Sequence, residues 1–159
     1  MIYLGKVGKL ELLKDYDEVF ISPTVYEETV SKGIEKGFLD AKIIQKAVDG
    51  GMVKLKKLNT EQSKEALELT KFAGIELGEA EAIILAKDLK AELLIDDVVA
   101  HGVGRTFGME PLWTTSYILK LVSKERLTKT GAREIIEKLV EAGYRISEDV
   151  LVEVLRRLG

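Results

Sequence analysis

A helix-patterned stretch gives way to a four-residue apolar run and then to two aspartates, and this junction sets the tightest limit on how the chain folds. Glu92–Ile95 (ELLI) is too short for a helix and apolar at successive positions, as expected of a strand buried on both faces. Such a strand needs helices above and below it. The rest of the chain supplies that alternation. Glu18–Ser22 (EVFIS), Met52–Leu58 (MVKLKKL) and Glu110–Trp113 read as further short strands. Helices are predicted over 4–14, 23–32, 41–48, 60–72, 79–90 and 98–107, with three more near 115–124, 130–142 and 148–157. Ser22, Thr60 and Thr130 are the expected N-caps, Pro23 suits a first helical position, and Gly108 and Gly143 are expected stops. The expected architecture is α/β, a parallel sheet covered on both faces. Residues 1–159 read as one domain, and 115–159 form its all-helical extension: a cap, an arm or a subunit interface.

Composition narrows the chemistry. The 159 residues include no cysteine, one histidine, 27 acidic and 24 basic residues. Without cysteine there is no thiol nucleophile, Cys-ligated zinc, iron–sulfur cluster or disulfide scaffold. A single histidine, His101, excludes a poly-His metal site and leaves a Ser-His-Asp triad one candidate. A net charge of -3 argues against a generally basic nucleic-acid-coating protein, though not against a local basic patch. No apolar run approaches the ~20 residues of a membrane span. The opening MIYLGKVGKLELLK is interrupted by lysines and does not read as a signal peptide, so a cytoplasmic location is expected. Abundant Lys and Glu, with Asn only at position 59 and Gln only at 45 and 62, resemble a thermophile composition.

Carboxylates are what remain. In parallel sheets ligands sit beyond the carboxyl ends of the strands, where Asp96 and Asp97 stand. The start of a helix lies at the same edge as the end of the strand that follows it, which brings Glu79 and Glu81 there. Glu27 and Glu28, one turn past Pro23, begin at that edge as well. Each has an ordinary explanation. An acidic pair can cap a helix, acidic first turns suit the helix dipole, and Glu27 and Glu28 can simply be solvated. Convergence from three separated elements is what those explanations leave out. Two carboxylates ~4 Å apart repel by about 4 kcal/mol at an effective dielectric of 20, so clustering calls for a cation, a shared proton or solvation. Oxygen donors without His or Cys suit Mg²⁺ or Mn²⁺, which can activate water for an in-line displacement at phosphorus.

Other readings fare worse. A receiver-like domain would place its acidic pair after the first strand, which the order here excludes. Gly102 and Gly104 lie inside a helix and make no dinucleotide fingerprint. Lys54, Lys56, Lys57, Arg156 and Arg157 could meet phosphates, but solvated faces are the favoured explanation. Trp113 and Tyr117 could stack on bases, although a lone Trp ending a strand is more often core.

The segments SPTVYEETV and LGEAEAIILAKDLKAELLIDDVVAHGVGRTFGMEPL, with GYRISEDVLVEVLRRLG at the end, resemble PIN-domain proteins over nearly the whole chain. The likeness is nearest to a prokaryotic subgroup of nucleic-acid-binding or toxin-like members. The resemblance implies a Rossmann-like three-layer α/β/α sandwich and an Mg²⁺- or Mn²⁺-dependent endoribonuclease acting on single-stranded RNA. It further implies an antitoxin protein as partner for toxin-like members, and homodimers. Glu28 matches the acidic residue of the proline-led helix, Glu79 the one opening the next conserved helix, and Asp97 the one after the fourth strand. These are the implied catalytic and metal-binding residues, with Asp96 and Glu81 as additional metal-ligand candidates. His101 stands where the subgroup usually has arginine and receives no chemical role. The family's first strand and its aspartate would lie just upstream of Met1. A misplaced start, a true loss or replacement by another element would each account for that. A site lacking this carboxylate would bind metal more weakly, and the alternative expectation is a catalytically impaired PIN-like module that binds RNA or protein.

Overall fold

A computed structural model describes residues 1–159, and the fold is α/β and mostly helical. The elements in order are α1 (Ile2–Lys6), a 3₁₀ helix (Leu10–Asp15), β1 (Phe20–Ile21), α2 (Pro23–Tyr26), a π-helical turn (Glu27–Ser31), α3 (Lys32–Glu35), α4 (Leu39–Asp49) and β2 (Lys54–Leu55). Then come α5 (Thr60–Ala73), α6 (Leu77–Leu89), α7 (Val98–Thr106), α8 (Thr114–Ser123), α9 (Lys129–Glu141) and α10 (Glu148–Leu158). No helix is long and apolar enough to cross a membrane.

Local chemistry sets the boundaries. The helix expected over 4–14 is two pieces, because Gly8 adopts a left-handed φ of 65° and turns the chain between them. Ser22 caps as expected, its hydroxyl oxygen accepting from Val25 N at 3.1 Å with Pro23 at the first helical position. Two caps differ from expectation. Asn59, not Thr60, caps α5, in a reciprocal box with Gln62. Thr128, not Thr130, caps α9 by accepting from Gly131 N.

The strands are parallel but far shorter than the sequence suggests. β1 pairs with β2 through Lys54 N to Val19 O (2.8 Å) and Lys56 N to Ile21 O (2.9 Å). Leu93–Ile95 meets the second pair member at a single parallel bridge, Leu94 with Leu112, closed by Ile95 N to Leu112 O (3.0 Å) and Leu112 N to Leu93 O (2.7 Å). The expected single sheet is therefore present as two short parallel pairs, with no ladder joining them.

Three apolar clusters hold the helices to these strands. One gathers Leu4, Ile21, Val30, Ile44, Val53 and Tyr117 around β1 and β2. A second packs Ala66, Ala80, Ile83, Ile84, Leu93, Ile95 and Ala100 between α5, α6 and α7. The third joins Ile118, Ile136, Leu139, Tyr144 and Leu158 among the last three helices. Fully burying one such side chain contributes about 1.5–3 kcal/mol. α7 lies close on the strand region because Gly104 has no side chain: a Cβ there would come within 2.7 Å of Pro111 Cγ and 3.3 Å of Leu93 Cδ2. That close approach fixes where α7 begins, and hence where Asp97 stands.

Candidate functional site

Asp97 caps α7. Its Oδ1 accepts from Val99 N and Ala100 N, both at 2.9 Å, and the helix dipole favours its negative charge. Those bonds engage one carboxylate oxygen and leave Oδ2 free of protein donors. Asp96, next to it, points elsewhere. Its Oδ1 accepts from Thr114 N (2.8 Å) and the Tyr144 hydroxyl (2.7 Å), and its Oδ2 accepts from Thr114 Oγ1 (2.6 Å). Adjacent residues at a strand end diverge, and here one carboxylate faces outward while the other ties together the strand end, the start of α8 and the segment after α9.

The start of α6 carries the next group. Glu76 is its N-cap and Glu79 its third residue, and the two form a reciprocal box in which Glu76 N donates to Glu79 Oε2 at 3.1 Å. Burial pushes the Glu79 carboxyl above the ordinary carboxylate range, and the charges of Asp97, Glu76 and Glu28 push it the same way. Glu28 sits in the π-helical turn after α2, a distortion found often at functional sites. Burial raises its pKa as well, Glu76 and Glu81 add to this, and Lys32 one turn on opposes it. Glu81 Oε2 is buried and has no hydrogen-bond partner. An uncompensated buried carboxylate oxygen is costly unless a ligand meets it.

The charges of Asp97, Glu76 and Glu28 thus all reach Glu79, and those of Glu76 and Glu81 reach Glu28, while Asp96 is turned toward Thr114 and Tyr144. Sequence reasoning missed Glu76, whose signal was the E-x-x-E spacing to Glu79; reading the helix as starting at Glu79, after Gly78, hid it. Gly78 is the cradle between the elements. A Cβ there would lie 2.8 Å from Glu28 Oε2 and 3.2 Å from Val25 Cγ2. The donors are all oxygens and suit a hard divalent cation, and the orphaned Glu81 Oε2 fits the same ligand. Nowhere, however, do three His, Cys, Asp or Glu side chains stand close enough together to hold a metal ion. An Mg²⁺-like ion that keeps several waters matches such an open rim better than a closed cage would.

Gly78→Ala is expected to displace the end of the flexible Glu28 side chain rather than the backbone. Mn²⁺ affinity should fall about 10- to 100-fold by titration calorimetry. The urea midpoint should move little, since Ala is the better helix former.

Two aromatic residues lie on the elements that Asp96 and Asp97 bind. Trp113 precedes α8, one residue before the Thr114 that binds Asp96, and His101 lies one turn after Asp97. Their rings stack with centroids 4.1 Å apart and planes within 8°, and His101 Nε2 lies 2.9 Å from Pro111 O. Tyr117, by contrast, is wholly buried and donates to Leu12 O at 2.6 Å, a core role. Among the basic residues, Lys54 pairs with Glu18, and Arg156 and Arg157 pair with Glu153. A cavity of about 430 Å³, lined by Lys87, Lys90, Phe107 and Met109 among others, lies at the far end of α6 from Glu79.

A family model described as a PIN domain matches the chain over residues 1–159. No curated protein matches it.

Proposed function

The chain belongs to the PIN-domain family, and from that premise we propose that it is an endoribonuclease cleaving single-stranded RNA with Mg²⁺ or Mn²⁺. The observation that carries this reading is the approach of Glu28 and Asp97, from two other elements, to Glu79, near enough for their charges to push its carboxyl pKa upward. These three residues would hold the ion, directly or through its waters, and Glu81 offers its free oxygen beside them. When bound, the ion activates water and neutralises charge developing at phosphorus. Asp97 presents Oδ2, since its cap bonds fix Oδ1. Glu79, kept more basic than an ordinary carboxylate, suits proton transfer from an attacking water. Asp96 positions its neighbour by anchoring the strand end to Thr114 and Tyr144. Lys32, the cation beside Glu28, is free of any ion pair and is available to a phosphate.

Labelled single-stranded RNA incubated with Mn²⁺ tests this. The native chain should cleave it, EDTA should stop cleavage, and Glu79→Gln should slow it by about 10²-fold or more. Equal rates for native and variant proteins would contradict the assignment.

A second reading, a non-catalytic RNA- or protein-binding module, is favoured by the absence of a closed three-ligand cluster. It predicts RNA binding with no Mn²⁺-dependent cleavage. The toxin-like form of the first reading adds an antitoxin protein and a homodimer as partners. Val98 and Val99, 75% and 53% exposed beside Asp97, offer apolar surface to such a protein.

A further inference from the structure

We propose that Trp113, stacked on His101, seats an unpaired base of the strand whose backbone crosses the carboxylate edge. Trp113 is the chain's only tryptophan, yet it belongs to none of the three apolar clusters that build the core. The ring is half-buried and packs on His101 rather than within a cluster. Its indole N–H has no partner within the protein and is not buried, so it is open to an acceptor from outside. The ring is held in advance. It stacks on His101 at 4.1 Å, and His101 is itself placed by the helix that Asp97 caps and by its contact with Pro111 O. The same residues that fix Asp97 therefore fix the aromatic pair.

Position gives this pair its use. Lys32 lies beside Glu28, and Trp113 stacks on His101 of α7, the helix that Asp97 caps. A rim of carboxylates repels phosphates, so affinity for a strand crossing it must come from elsewhere. A π-face binds any base without adding charge, and only an unstacked base can lie on it. The seat therefore selects single strands over duplex. The inference rests on the nuclease reading only for the identity of the strand as RNA.

Because Trp113 is the sole tryptophan, its emission reports on this one position. The test titrates a short single-stranded oligoribonucleotide into the full chain in EDTA, where no cleavage is proposed, following Trp emission together with the anisotropy of an end label. Emission should be quenched in step with binding. A blunt duplex of the same sequence should leave emission unchanged. Trp113→Ala should weaken binding of the labelled strand about tenfold or more, and Trp113→Phe should keep most of it. Binding that leaves emission unchanged, equal quenching by duplex, or unaltered affinity in Trp113→Ala would overturn the proposal. Quenching without any Mn²⁺-dependent cleavage would support the seat and refute the nuclease reading alone. Cleavage without quenching would do the reverse.

Discussion

Asp97→Asn is expected to lose about 10²–10³-fold in Mn²⁺-dependent RNA cleavage while unfolding at the same temperature as the native chain. The two effects separate because Asp97 does two things. Its Oδ1 caps α7 through Val99 N and Ala100 N, and asparagine caps a helix as well as aspartate does. Its charge, by contrast, has no cation partner in the protein, and asparagine removes it. Asp97→Ala should show the same loss of activity plus about 1 kcal/mol of destabilisation from the missing cap. Thermal unfolding and initial rates, measured on the three proteins in parallel, check both parts. A variant that unfolds early and cleaves normally would reduce Asp97 to a helix cap.

Asp96→Ala should have the largest effect on stability, about 3 kcal/mol or more by urea unfolding. The carboxylate accepts three hydrogen bonds, from Thr114 N, Thr114 Oγ1 and the Tyr144 hydroxyl, around side chains that are 0% and 7% exposed. Bonds to a charged acceptor are the stronger kind, and deleting the acceptor strands buried donors. Burial, reinforced by the charge of Asp96, pushes the Tyr144 hydroxyl pKa upward, so the hydroxyl stays a donor at neutral pH. Asp96→Asn keeps an acceptor oxygen and should cost less than the alanine variant. Tyr144→Phe should cost only about 1 kcal/mol, since it removes one bond and leaves the carboxylate its two from Thr114. Equal stability of the alanine variant would mean that the end of the Leu93–Ile95 strand, α8 and the last helices are held together by apolar packing alone.

The candidate carboxylates could be proposed from the sequence where their placement depends on local geometry. A helix start and the next strand end share an edge, so Glu79 and Asp97 could be paired from their spacing. The proline-led helix offered Glu27 and Glu28 alike, and only the family resemblance singled out Glu28. The division of labour within Asp96-Asp97 was not legible, because it depends on Thr114 and Tyr144, which lie 18 and 48 residues further on. Glu76 was hidden because the sequence reading began the helix at Glu79, two residues after the Leu77 at which α6 begins. The fold shows the same split. The helices appear where periodicity put them, because each has a cap and an apolar face. The strands shrink to two-residue pairs and a single bridge, because β pairing depends on partners that a run such as ELLI does not specify. Trp113 read as core by type, and only the packing of the whole chain leaves it outside.

The most direct test of the central claim is a calorimetric titration of Mn²⁺ into metal-free protein. The account predicts saturable binding that is lost in the Glu79→Gln, Asp97→Asn double variant, with the variant folded by circular dichroism. No binding at millimolar Mn²⁺, or binding unchanged in the double variant, would contradict it.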